Sequence, residues 1–285
     1  MPSICLYLQV HQPCRLKNFS IFDIGKHNAY FDDEKNRTYL ERIARKCYLP
    51  ANNILFDLIK GTRGKFKVSF GLTGVLLEQL EKFFPEIIES FKKLAATGCV
   101  EILSETYYHS LAYLYSKTEF EEQIKLHRKK IKKLFNYAPK TFRNTELTFD
   151  NEMAKCIAGM GYKAILAEGA EYILGWRSPN FVYKAKGAKI NLLLRNYKLS
   201  DDISFRFSNK TWPEWPLTAE KYVSWINQLQ GQEQVINLFM DYETFGEHQW
   251  EDTGIFDFLK VFPYKVLENP HNNFKTPSEL IIKFL

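Results

Sequence analysis

Apolar positions along the chain follow two rhythms. Compact apolar runs of four to seven residues alternate with longer stretches in which apolar residues recur at helical spacing. The compact runs predict seven strands, at Ser3–Gln9, Phe66–Leu72, Val100–Ser104, Lys140–Arg143, Lys163–Ala167, Lys189–Arg195 and Val235–Met240. In the second of these, Val68 and Phe70 share a face. Helices are predicted over Asn36–Lys60 with an interruption near Pro50, and over Leu76–Phe83, Pro85–Thr97, Thr118–Asn136, Asp150–Met160, Thr218–Gln230 and Phe256–Glu268. Several ends carry their own signals. Pro85 opens one helix and Gly98 follows it, Thr118-Glu119-Phe120-Glu121 reads as a capping box, and Gly161 ends the helix after Asp150. A last helix starts at Thr276-Pro277-Ser278-Glu279. The chain stops at Leu285, so that helix is short and in need of a partner. The expected division is therefore residues 1–270 as one body, with 271–285 opening a C-terminal helical segment that is cut short or docks on that body.

Strands alternating with helices call for a parallel sheet covered by helices. An open doubly wound sheet and a closed barrel both satisfy the pattern. No GxGxxG or GxxxxGK[ST] follows a strand, which leaves a nucleotide-binding version without support.

Composition narrows the class. The 285 residues are 45% hydrophobic, 25% charged and 15% aromatic, as expected of a folded protein. No apolar run approaches the roughly 20 residues of a membrane span. The N-terminus lacks a signal-peptide pattern. The net charge of +6 is concentrated in Lys125–Lys133, which reads as a solvated helix face; no aromatics interleave it as a nucleic-acid site would require. Five scattered cysteines without a CxxC pair fit a reducing cytoplasm.

Ligands of parallel α/β folds bind at the carboxyl ends of strands. The polar residues there are His11 and Gln12 after the first strand, and Glu105 through His109 after the third. Asn144, Thr145 and Glu146 follow the fourth strand, Glu168 and Glu171 the fifth, Asn196 and Tyr197 the sixth, and Asp241 through His248 the seventh. Glu146 directly follows a short strand, where an acid can serve the next helix dipole or chemistry. Asp241 ends the most apolar strand, so partial desolvation and a raised pKa are expected of it. Glu243 points the opposite way if that strand continues. Two carboxylates on separate strand ends are the minimum for glycoside hydrolysis. Tyr107, Tyr108, Trp215, Tyr242 and their neighbours offer flat faces to sugar rings, and Trp212-Pro213-Glu214-Trp215-Pro216 reads as a binding wall. The rival is a metal site from His11, His109 and His248, as in a metal-dependent sugar deacetylase or α-mannosidase; HxH, HxxxH and HExxH spacings are absent. His127 and His271 read as surface residues.

Four blocks now align with a known pattern. They are His11-Gln12-Pro13, Val100-Glu101 through Glu105-Thr106-Tyr107-Tyr108-His109-Ser110-Leu111, Phe142-Arg143-Asn144-Thr145-Glu146-Leu147, and Phe239 through His248. In order and spacing they resemble glycoside hydrolase family 57, which includes α-amylases, 4-α-glucanotransferases, amylopullulanases, branching enzymes and α-galactosidases. The resemblance implies a distorted (β/α)7 barrel of seven mostly parallel strands with surrounding helices, and a retaining mechanism on α-glycosidic bonds with no metal or other cofactor. By position, Glu146 matches the nucleophile and Asp241 the acid/base. His11 matches a residue lining the subsite beside the cleaved bond, and Glu101 a substrate-contacting acid. Tyr107, Tyr108 and His109 are implied to line the cleft, with Gln12, Trp215, Tyr242 and His248 as further substrate contacts. The DYETFGEH form of the last block is most similar to the α-amylase-like branch. The Trp that precedes the nucleophile in the glucanotransferase branch is missing. The family's C-terminal helical region, which carries a fifth block, is not reached after TPSE. The expected partner is an α-glucan or maltooligosaccharide, not nucleic acid or membrane. A 4-α-glucanotransferase, or a catalytically impaired glucan-binding fragment, is the alternative.

Overall fold

In chain order the strands are β1 (Ser3–Val10), β2 (Val68–Leu72), β3 (Val100–Leu103), β4 (Thr141–Arg143), β5 (Ala164–Glu168), β6 (Val182–Lys184), β7 (Asn191–Arg195), β8 (Val235–Asp241) and β9 (Asn273–Phe274). This computed structural model describes residues 2–26, 29–229, 231 and 233–282. His27, Gln230 and the last three residues of the expected C-terminal helix lie outside that set. The helices are α1 (Asp33–Ile43), α2 (Leu49–Gly61), α3 (Gly74–Phe83), α4 (Pro85–Ala95), α5 (Ala112–Tyr115) and α6 (Lys117–Phe135). They continue with α7 (Asn151–Gly159), α8 (Glu171–Leu174), α9 (Tyr197–Ser204), α10 (Ala219–Gln228), α11 (Ile255–Glu268) and α12 (Pro277–Ile281).

Two parallel arrays, β3-β2-β1-β8 and β4-β5-β7, make up the sheet. They meet at two seams. At one, Ser104 bridges Phe142: the Ser104 N–H donates to Thr141 O and the Arg143 N–H to Ser104 O, both at 2.9 Å. At the other, the Asn196 N–H donates to Asn237 O at 2.9 Å, and Asn237 Nδ2 donates to Leu194 O at 2.8 Å. Seven parallel strands therefore close a distorted (β/α)7 barrel. The second seam is splayed by β6, which runs antiparallel along Asn191–Leu193. This strand escaped prediction because a half-exposed three-residue segment has almost no periodicity.

Side-chain alternation sorts each strand into lumen and outer layer. Cys5, Tyr7, Leu103, Leu166, Leu193, Val235 and Phe239 fill the lumen, joined by Leu147 and by Leu280 of α12. Ile4, Leu6, Leu8, Ile236 and Leu238 point outward into the helix layer. The C-terminal residues are part of this body. β9 pairs with Ser3–Ile4, and α12 sends Leu280 into the lumen. The Thr276–Glu279 start signal forms as expected, with the Thr276 N–H donating to Glu279 Oε2 at 3.1 Å.

Two helix ends differ from expectation. The helix expected from Thr118 begins one residue earlier, because Ser116 is the cap: its hydroxyl accepts from the Glu119 N–H at 3.2 Å. The stretch around Pro50 continues as helix through a π-helical turn, Ala44–Tyr48, which widens the chain just before Pro50, where there is no N–H to donate. His127 is wholly buried rather than at the surface. Its Nε2 bonds Leu72 O at 2.8 Å, and its Nδ1 accepts from the Glu105 N–H at 3.5 Å. No helix among the described residues is long and apolar enough to cross a membrane.

Candidate active site

The carboxyl ends of β1, β4, β5, β7 and β8 surround a cavity of about 210 Å³. Its floor is Tyr7 and Phe239, inward residues on neighbouring strands whose rings meet edge to face at 5.7 Å. Above them stand Gln9, Arg143, Glu146, Glu168, Arg195 and Asp241.

Glu146 sits on the turn after β4 in the left-handed region (φ 55°, ψ 25°), and Leu147 follows at φ 55°. Successive non-glycine residues there store backbone strain, about 1–3 kcal/mol each. The turn has a use: Leu147 folds back into the lumen, while the Glu146 side chain stays 71% exposed at the mouth. Glu146 Oε1 lies 3.2 Å from His109 Nε2. The His109 ring stacks on His11 at 4.2 Å, and His11 Nδ1 is 3.0 Å from Thr73 Oγ1. Burial, reinforced by the neighbouring His109, drives the His11 pKa down to about 4, so this ring is neutral at neutral pH.

Asp241 faces the same cavity as Glu146 but is exposed, contrary to the expected desolvation. The desolvated acid is Glu243, two residues on. It is buried against the helix layer, receives the Tyr48 hydroxyl and Gln12 Nε2 (3.4 Å), and is pushed up to about 7 by burial. The end of β8 explains the exchange: Asp241 ends the strand on its lumen side, and the 3-10 turn Tyr242–Thr244 then carries Glu243 outward to Tyr48.

The other predicted residues divide. His248 is exposed and lines the cavity. Tyr108 is half exposed, while Tyr107 is buried with its hydroxyl on Glu78 Oε1 at 2.6 Å. Gln12 is engaged by Glu243 and by Arg15, whose guanidinium donates to Gln12 Oε1 at 3.1 Å. Trp215 is 42% exposed on the α9–α10 loop and is not among the residues lining the cavity. Tyr242 is placed in the core: it is fully buried, stacked on Tyr48 at 5.9 Å, with its hydroxyl on Asn52 Oδ1 at 2.6 Å. Glu101 is likewise removed from the cavity. It lies low in β3, where its carboxylate accepts from Thr141 Oγ1 (2.7 Å) and from the backbone N–H (2.8 Å) and hydroxyl (2.7 Å) of Ser278 in α12.

Glu105 and Glu168, noted above only as strand-end acids, and Tyr7, Gln9 and Arg195, inside strands, complete the site. Gln9 and Tyr7 were hidden inside a strand read only as core. Glu105 is wholly buried. Burial alone would raise its pKa, but His109, His127 and Arg143 together hold it below the usual carboxylate range. Arg195 spans Glu168 (3.4 Å) and Asp201 (2.5 Å), and burial pushes Glu168 up against the pull of that guanidinium. Past Glu146 and Glu168 opens a second cavity of about 710 Å³, walled by Tyr172, Tyr183, Leu192 and Leu194. His11 and His109 do meet, but as stacked rings. Among the described residues no three His, Cys, Asp or Glu side chains converge as a cation site.

Comparison with known proteins gives a consistent picture. The chain is 44% identical over 281 residues to the "Putative alpha-amylase" of Methanocaldococcus jannaschii, covering 98% of this chain and 59% of that protein. Its structure superposes on a 4-alpha-glucanotransferase from Thermococcus litoralis with a TM-score of 0.76 at 21% identity, covering all of this chain and 40% of that one. A family 57-type branching enzyme from Pyrococcus horikoshii matches with a TM-score of 0.72 at 14% identity, over 100% of this chain and 70% of that one. At such identities the solved structures speak for the fold alone. The profile of glycosyl hydrolase family 57 matches residues 5–284, which include Glu146, Asp241 and α12, and the chain belongs to that family.

Proposed function

We propose that this barrel cleaves α-1,4-glucans with retention of configuration, Glu146 acting as nucleophile and Asp241 as acid/base. One observation carries the reading: acids from the ends of β4 and β8 face a single cavity at the mouth of the barrel. In the first step a Glu146 carboxylate oxygen attacks the anomeric carbon, and Asp241 gives its proton to the departing glycosidic oxygen. The glycosyl ester is then opened by water, or by a sugar hydroxyl, whose proton returns to Asp241. The product keeps the α configuration because two inversions occur.

The α-amylase name of the relative from Methanocaldococcus supports a glucan substrate. The larger cavity beyond Glu146 and Glu168, with Tyr172 and Tyr183 in its walls, leaves room for further sugar units. His11, His109 and His248 belong to the sugar-binding surface in this reading. The five cysteines are all unpaired, which supports a reducing, cytoplasmic setting.

The test is product analysis with maltoheptaose. Wild type releases shorter oligosaccharides with the α-anomer first, and Glu146→Gln loses about 10³-fold or more in kcat. Retained turnover in Glu146→Gln, or the β-anomer first, refutes the assignment. Products longer than the substrate identify transfer rather than hydrolysis.

A further inference from the structure

We propose that Glu105 is a positioning residue: its buried carboxylate fixes His109 so that the imidazole presents an N–H to the nucleophile. This rests on the assignment of Glu146 above. Glu105 follows β3 at the seam with β4, which brings it beneath the turn carrying Glu146. Burying a carboxylate costs several kcal/mol unless charged and hydrogen-bonding groups meet it. Here they do. The Tyr7 hydroxyl donates to Gln9 Oε1, which fixes the Gln9 amide with its NH2 toward Glu105 Oε2 at 2.9 Å. His109 Nδ1 lies 3.5 Å from the same oxygen. The backbone N–H of Glu105 is held by His127, itself anchored to Leu72 O. Gly71 leaves the space open: a Cβ there would lie 2.2 Å from the Tyr7 hydroxyl and 2.9 Å from Glu105 Oε1.

His109 is clamped between this anion and the nucleophile. Its backbone is left-handed at φ 54°, its face is covered by His11, and its Nε2 is 3.2 Å from Glu146 Oε1. A neutral imidazole has one N–H. If Nδ1 keeps it for Glu105, Nε2 turns a lone pair toward the Glu146 carboxylate. A ring with hydrogen on both nitrogens donates from Nε2 to Glu146 and turns Nδ1, which has no hydrogen-bond partner, toward Glu105 at ion-pair distance, so the buried negative charge of Glu105 offsets that second hydrogen. The donor holds Glu146 Oε1 and leaves the other oxygen free to attack. It also stabilises the carboxylate as it departs in the second step.

The experiment is a double-mutant cycle on maltoheptaose with Glu105→Gln, His109→Ala and the double variant. The expected result is a fall in kcat of about 10- to 100-fold for Glu105→Gln with KM within about twofold. In the His109→Ala background the same substitution changes kcat by less than about twofold, because Glu105 acts only through the ring. Independent losses in the two backgrounds overturn the inference. If Glu105→Gln does not fold, Glu105→Asp, which withdraws the carboxylate from the ring, replaces it in the cycle. Absence of wild-type turnover refutes the proposed function but not this step, which is then decided by histidine ¹⁵N NMR. The His109 ring ¹⁵N shifts at neutral pH are expected to differ between wild type and Glu105→Gln, and identical spectra overturn the proposal.

Discussion

Replacing Glu101 by Gln separates a substrate contact from a structural pin. The Glu101 carboxylate receives three hydrogen bonds of 2.7–2.8 Å, from Thr141 Oγ1 and from the backbone and hydroxyl of Ser278. It therefore ties the start of β4 and the first turn of α12 to β3, and a negative charge at that helix start is favourable as well. Gln keeps the shape but removes the charge and turns an NH2 toward one donor. The hydroxyls can rotate away from the clash; the Ser278 backbone N–H cannot. Hydrogen bonds to a charged group are worth about 1.5–3 kcal/mol each, and part of that is retained, so the expected loss is about 2–4 kcal/mol. For a domain of this size that lowers Tm by about 4–8 °C. Calorimetry reads the shift, and maltoheptaose turnover is measured well below either Tm. The expected outcome is a lower Tm with kcat and KM unchanged. Lost activity at an unchanged Tm refutes the structural role and returns Glu101 to the substrate.

Two further outcomes follow from buried groups. The Glu243 carboxyl, pushed up to about 7 by burial, favours the folded state fully below the ordinary carboxyl value of 4.5, and that contribution disappears as pH rises through about 7. The span corresponds to roughly 3 kcal/mol. Wild-type Tm therefore falls between pH 5 and pH 8 by more than that of Glu243→Gln, and equal slopes in a thermal-shift series refute the linkage. Tyr242→Phe removes only the hydroxyl bonded to Asn52 and is expected to cost about 1 kcal/mol of stability, measured by urea unfolding, with KM unchanged. A raised KM would make Tyr242 a substrate contact after all.

The strand–helix alternation was legible because each barrel strand is a compact apolar run and each long helix keeps its own periodicity. Lumen and outer faces were not legible. Strands of a parallel barrel are buried on both sides, so β1 reads as continuous core, and nothing in Ser3–Val10 alone distinguishes inward Tyr7 and Gln9 from outward Leu6 and Leu8. Only residues beyond the strand attracted notice, which is why His11 was singled out and Gln9 was not. The burial of His127 is hidden for a related reason: with Gln123 it is a polar residue on the buried face of α6, and it lies in a run otherwise rich in Lys and Arg. Its purpose, bonding Leu72 and Glu105, depends on strands distant in sequence.

One inward anchor resolves most of this ambiguity. With Asp241 facing the cavity, the pairing Gln9↔Asp241 and Tyr7↔Phe239 turns the same parity of β1 inward. The pairings Tyr7↔Ser69 and Ser69↔Glu101, with Gly71↔Leu103 above them, carry that parity across β2 into β3. Glu101, Leu103 and Glu105 then all belong to the lumen side, and parity cannot choose between the two acids. Depth can. Four residues of extended chain rise about 13 Å, so Glu101 belongs to the end closed by α12 and Glu105 to the end that opens on Glu146. Families of barrel enzymes place their chemistry at the carboxyl end of strands. By that rule the acid contributed from β3 to the site is Glu105. The Glu101 position, although on the same face, lies at the end held by Ser278 of α12.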